Sequence, residues 1–151
     1  MNIFGEHILT GDEMQWIAEK IQAVEKETIG EIRVNIQKRR SWKEKHLSLF
    51  DLALKNFISL GMDKTREKTG VLIFLLISEH AFQIVADEGI NKKVSPDFWE
   101  SLAGNLSSAF RQEKYYDGLC RTIDEIGVIL KKEFPSAPGD TNELPNTIVL
   151  S

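Results

Sequence analysis

The sequence predicts an α/β fold, a three-layer α/β/α sandwich around a small mixed sheet, in the order α-β-α-β-β-α-α. Three observations carry this. Residues 71–77, Val-Leu-Ile-Phe-Leu-Leu-Ile, are an unbroken apolar run. It is too short to span a membrane and suits a strand buried on both faces. Residues 31–37 alternate, with Ile32, Val34 and Ile36 on one side and Glu31, Arg33 and Asn35 on the other, the period of a strand. Apolar residues recur at helical spacing before, between and after these segments.

Taken in order, Thr10-Gly11-Asp12-Glu13 has the spacing of a capping box, with Leu9 and Met14 flanking it as a hydrophobic staple. Met14, Ile17, Ala18, Ile21 and Val24 continue as one face of a first helix reaching about Glu27. The alternating strand opens at Glu31. A second helix is expected over residues 45–60, with Phe50, Ala53, Leu54 and Phe57 inward and Gly61 placed to end it. A charged loop, 62–69, leads into the apolar strand. Glu79-His80 turns the chain, and residues 81–86 return antiparallel. Ser95-Pro96 starts a third helix, serine as N-cap and proline in the first turn, with Trp99, Leu102, Ala103, Leu106, Ala109 and Phe110 inward. After a break at residues 112–114, Tyr116, Leu119, Cys120, Ile123, Ile126 and Leu130 mark a fourth, ending near Phe134-Pro135. One domain over residues 1–135 and a loose, turn-rich tail over 136–151 are expected.

At 151 residues, 42% hydrophobic and 28% charged, the composition is that of a soluble globular domain able to bury a substantial core. A net charge of -4 gives no overall attraction to nucleic acid or anionic membrane. The basic cluster Lys38-Arg39-Arg40, extended by Lys43 and Lys45, is a local exception, read as a solvated strand-end loop. Residues 1–6 have neither the basic start nor the apolar core of a signal peptide. With one cysteine, the expected location is the cytoplasm. His7, His46 and His80 have no zinc-ligand spacing. Cys120 lies on an apolar helical face and reads as a core thiol.

The topology gathers acids. Two parallel strands and an antiparallel third place Glu31, the loop containing Asp63, and Asp87-Glu88 on one edge of the sheet, with Asn91 adding a neutral oxygen if the chain folds back. Oxygen ligands of this kind suit a hard divalent cation, calcium or magnesium. The alternative is that Glu31 and Asp87 pair with Arg33, Arg66 or Lys92 as surface salt bridges. A simple helical hairpin would put Asp117 at the opposite end of the sheet.

Four motifs in order, Thr28-Ile29-Gly30-Glu31-Ile32-Arg33-Val34, Gly70-Val71-Leu72-Ile73, Asp87-Glu88-Gly89-Ile90 and Tyr116-Asp117-Gly118-Leu119, resemble the TPM domain. That family includes thylakoid-lumen proteins of photosystem repair and many bacterial relatives. The resemblance spans about residues 10–134, and Asn142-Glu143-Leu144-Pro145 is similar to a cytoplasmic bacterial subgroup. It implies the same sandwich, divalent-metal binding, often calcium, with Asp117 among the ligands, and for some members acid phosphatase activity. The chain departs from the family pattern at Asn91, where an acid is common, and in lacking the usual leader or anchor. Two functions follow as expectations. One is a non-enzymatic, metal-binding interaction module with a role in protein quality control or assembly. The other is a metal-supported phosphomonoesterase, for which the sequence offers no evident nucleophile.

Overall fold

The computed structural model describes residues 8–137 and 147–151. Residues 1–6, His7 and the segment 142–145, on which some of the readings above fall, lie outside the described residues.

The first helix, α1 (Gly11–Glu25), begins with the expected capping box. The Glu13 N–H donates to Thr10 Oγ1 at 3.0 Å and the Thr10 N–H to Glu13 Oε1 at 2.9 Å. Its buried face is Ile17, Ala18, Ile21 and Val24. Strand β1 (Glu31–Gln37) follows, then α2 (Leu49–Ser59), β2 (Gly70–Leu76) and β3 (Ala81–Ala86). A single-turn helix, α3 (Glu88–Asn91), leads to the antiparallel pair α4 (Pro96–Arg111) and α5 (Tyr115–Glu133), and β4 (Val149–Leu150) closes the chain.

Among the described residues the sheet has four strands in the order β3-β2-β1-β4. β1 and β2 are parallel, Glu31 opposite Gly70 through Gln37 opposite Leu76. β3 is antiparallel to β2, Val71 opposite Ala86. Successive side chains of β2 point to opposite faces, and the two faces meet different cores. Val71, Ile73 and Leu75 join Ile32 and Val34 against α1, α4 and α5. Leu72, Phe74 and Leu76 join Val85 against Leu52, Ala53 and Phe57 of α2. That is the three-layer sandwich.

Three details differ from the sequence expectation. The second helix starts at Leu49, not Lys45, because Ser48 caps it through the Asp51 N–H at 3.0 Å, and residues 42–44 form a 3-10 turn instead. In that register Leu52, Ala53 and Phe57 face inward while Phe50 is left half exposed. Cys120 is partly buried rather than a core thiol; burial pushes its pKa up. A fourth strand joins the sheet, with Val149 opposite Asn35 and the Ser151 N–H donating to the Ile36 carbonyl at 2.8 Å.

Candidate functional site

The amino end of β2 is a crossing point of backbones. Gly61, in the left-handed region at φ 76°, ends α2 and starts a 3-10 turn at Met62–Lys64. The loop then closes on itself: Thr65 Oγ1 accepts from the Thr69 N–H at 3.0 Å, and Lys68 Nζ donates to the Asp63 carbonyl at 2.8 Å. Gly70 leaves no room beside it. A Cβ there would sit 3.0 Å from the Met62 carbonyl oxygen, while the Gly70 carbonyl accepts from the Asp87 N–H at 2.9 Å. Gly70 thus holds the segment next to Asp63 and the end of β3 together. Gly89 repeats the device. A Cβ would lie 2.2 Å from the Glu67 carbonyl oxygen and 2.5 Å from that of Lys68, so only glycine lets α3 press against the loop.

Two carboxylates occupy this corner. Asp87 Oδ1 caps α3 by accepting from the Glu88 N–H at 2.8 Å. Its other oxygen, Oδ2, is buried with no hydrogen-bond partner, and so is Asp63 Oδ1. A buried acceptor left unmade costs about 1–3 kcal/mol, more when it carries charge. These two oxygens lie on segments that Gly70 joins, and the Glu67 and Lys68 carbonyls pack against the adjoining Gly89. Carboxylate and carbonyl oxygens are hard donors, the kind that suits a hard cation and not a soft one.

The other expected ligands are distributed differently. Glu88 is exposed on the first turn of α3. Asn91 does fold back, its Nδ2 donating to the Ala86 carbonyl at 2.9 Å. Glu31 is buried, and its Oε1 lies 3.0 Å from Arg33 Nη2; the Glu31–Arg33 pairing considered above therefore exists, in the interior and not at the surface. Asp117 is in the first turn of the 19-residue α5. The far end of that helix is the one beside β1, where Thr28 Oγ1 donates to the Phe134 carbonyl. At 1.5 Å per residue Asp117 is about 25 Å along the helix from that end. Among the described residues no three His, Cys, Asp or Glu side chains form a metal-holding group.

Sequence reasoning missed a second polar cluster, under β1. Arg33 Nη1 lies 2.8 Å from Glu25 Oε2, and the two side chains are each 3% exposed. Glu25 also accepts from the Ile32 N–H at 2.6 Å, and Arg33 donates to the Ile32 carbonyl. Side chains thus cap the edge of β1 where β4 does not reach, which keeps the edge from pairing with another strand. The sequence signal was present in part: Glu31 and Arg33, two apart on a strand, share a face. Glu25 belongs to another element and could not be read into the group.

Comparison with known proteins places this geometry. No curated protein matches the chain. The NMR structure of BA42 protein from the psychrophilic bacterium Bizionia argentinensis is similar at 37% identity, with a TM-score of 0.88 and 100% of both chains covered. The N-terminal domain of a P. gingivalis protein shares the fold at 15% identity and a TM-score of 0.69, covering 85% of this chain and 80% of that one. So does the N-terminal domain of cg2496 protein from Corynebacterium glutamicum, at 11% identity and 0.57, covering 89% and 81%. The family model for the TPM domain matches residues 4–129, and the chain therefore belongs to the TPM domain family.

Proposed function

We propose that this TPM domain is a divalent-cation-binding module, and that Asp63 and Asp87 supply its carboxylates. The observation that carries the reading is the pair of buried, unpartnered oxygens, Asp63 Oδ1 and Asp87 Oδ2, on segments joined at Gly70. A hard cation would give each of them a partner. The Glu67 and Lys68 carbonyls are the neutral oxygens to hand, with Glu88 and Asn91 at the rim; calcium, which accepts carboxylates, carbonyls and water together, suits such a mixed set better than magnesium. Glu31 and Asp117 have no part in it, the first committed to Arg33 and the second at the far end of α5.

Its role is then one of binding: a loop ordered by the ion presents the exposed Glu67, Glu88 and Lys92 to a protein partner, in assembly or quality control. A phosphomonoesterase would use the same corner, the ion polarising a phosphoryl oxygen and activating water. Calorimetric titration with calcium and with magnesium, on wild type, Asp63→Asn and Asp87→Asn, tests the site. A phosphomonoester assay on the same calcium-loaded sample separates the two functions. Saturable binding lost in both variants supports the site; heats that do not change in either variant remove it. Turnover abolished by Asp87→Asn would make the corner an active site and not a binding module.

A further inference from the structure

The turn after β1 is built with care and presents one large apolar side chain to solvent. Glu44 is buried at its centre. Its Oε1 accepts from the Ser41 N–H at 2.9 Å and from Gln37 Nε2 at 2.9 Å, and its Oε2 pairs with Lys55 Nζ at 2.7 Å. Arg40 braces the other side, donating to the Glu44 and Leu47 carbonyls at 3.0 and 2.6 Å and pairing with Glu79 of the β2–β3 turn at 2.6 Å. The Ser78 N–H completes the brace on the Lys38 carbonyl at 2.8 Å. What this frame holds outward is Trp42, 83% exposed, against 65% for Val128, the next most exposed large hydrophobic residue among those described. An indole left in water on a rigid turn contributes nothing to the core.

Charge around it is one-sided. Glu44 is the single acid between Lys38 and Ser48, and Lys55 neutralises it; Glu79 in the adjoining turn is neutralised by Arg40. Arg39, Lys43 and Lys45 remain, all exposed. The chain as a whole carries -4, so this turn is opposite in sign to the net charge. The carboxylate corner at Asp63 and Asp87 is at the other end of β1, about 20 Å away along its seven residues.

We propose that the Trp42 turn is an interfacial contact for an anionic lipid surface. One indole ringed by lysine and arginine is the composition of a membrane-interface contact, where the ring settles at headgroup level and the cations meet anionic lipid. A protein interface needs a wider apolar centre. A single-stranded nucleic-acid platform carries successive aromatics along a groove, and Trp42 is the one Phe, Tyr or Trp between Lys38 and Ser48. Docked this way, the domain lies on the surface with its carboxylate corner turned away from it.

Flotation of the full-length protein with vesicles tests the proposal. Vesicles of equal phosphatidylglycerol and phosphatidylcholine are compared with phosphatidylcholine alone, at low salt. Each cation at an anionic surface is worth roughly five-fold in binding, so three predict a preference on the order of 100-fold for the anionic vesicles. Trp42→Ala and the triple variant Arg39→Gln, Lys43→Gln, Lys45→Gln should each lose most of it, with melting curves like wild type because all four side chains are exposed. Raising the salt to about 0.5 M should release the protein. Absence of binding to the anionic vesicles, or binding that both variants retain, overturns the proposal. So does a single-stranded oligonucleotide that binds through Trp42 while the vesicles do not.

Discussion

Replacing Arg33 by methionine removes the cation from the interior cluster under β1 while keeping an unbranched apolar stem. Its guanidinium lies 2.8 Å from Glu25 and 3.0 Å from Glu31, with all three side chains 3–4% exposed. The variant keeps two carboxylates in the interior without the charge they were buried against, and takes a donor from the Ile32 carbonyl. Breaking a buried pair from one side costs about 3–5 kcal/mol. Against a total stability of roughly 5–15 kcal/mol, that is a large share. For a chain of this length each kcal/mol moves the midpoint by about 2–4 °C, so the loss is about 6–20 °C. Urea unfolding at neutral pH measures it directly. Replacing all three charges together, Glu25→Leu, Glu31→Leu and Arg33→Met, should recover most of the loss, since apolar substitutes for a whole buried ion cluster are often neutral or stabilising. A loss below about 1 kcal/mol for Arg33→Met, the size expected of an exposed pair, would refute the burial of this cluster.

Phe74→Ala, in the core between β2 and α2, should cost about 3–5 kcal/mol in the same assay; under about 1 kcal/mol would show that β2 is not central. The Lys55 ammonium and the Ser41 N–H hold the Glu44 carboxyl at about 2, below the usual 4.5. A depressed folded-state pKa stabilises the fold above about 4.5 and is lost as pH falls toward about 2. Lys55→Met should therefore flatten the fall in stability across that window, and an unchanged pH profile would contradict the pairing. Gly89→Ala should cost more than about 1 kcal/mol, because the new methyl meets backbone that cannot yield freely. It should also displace the loop carrying Asp63 and weaken the response to divalent cations; a variant with wild-type stability and response would contradict the packing described at this corner.

Much of the fold could be read from local pattern. The capping box of α1, the alternation of β1, the apolar run of β2 and the Ser95-Pro96 start of α4 are where periodicity and end signals put them. What escaped depends on partners far along the chain. β4 is two residues long and has no periodicity to show; it exists by pairing with Asn35 and Ile36, more than a hundred residues earlier. The alternation of β1 was legible as two faces, but burial of the polar face depends on Glu25 from α1 reaching Arg33 and Asn56 from α2 reaching Gln37. The start of α2 slipped because Trp42–Glu44 winds as a 3-10 turn around Glu44, a tertiary arrangement. At the candidate site the strand ends told which segments meet, and Asp63 and Asp87 follow from that. Which carboxylates would be claimed by other partners did not follow: Glu31 turns inward to Arg33, a competition among side chains that topology alone cannot rank.

Thermal unfolding in calcium and in chelator, on wild type and Asp87→Asn, tests the proposed cation site most directly. Any ligand of the native state stabilises it by mass action, and at a free concentration 100 times the dissociation constant the gain is about 2.7 kcal/mol. That is about 5–11 °C for a chain of this length. Asparagine at 87 keeps an oxygen to cap α3 and removes one charge from the corner. The variant should therefore melt in calcium and in chelator alike, at or slightly above the wild-type midpoint in chelator. Wild-type curves that coincide in saturating calcium and in chelator, or an Asp87→Asn variant that keeps the full calcium shift, would contradict the account.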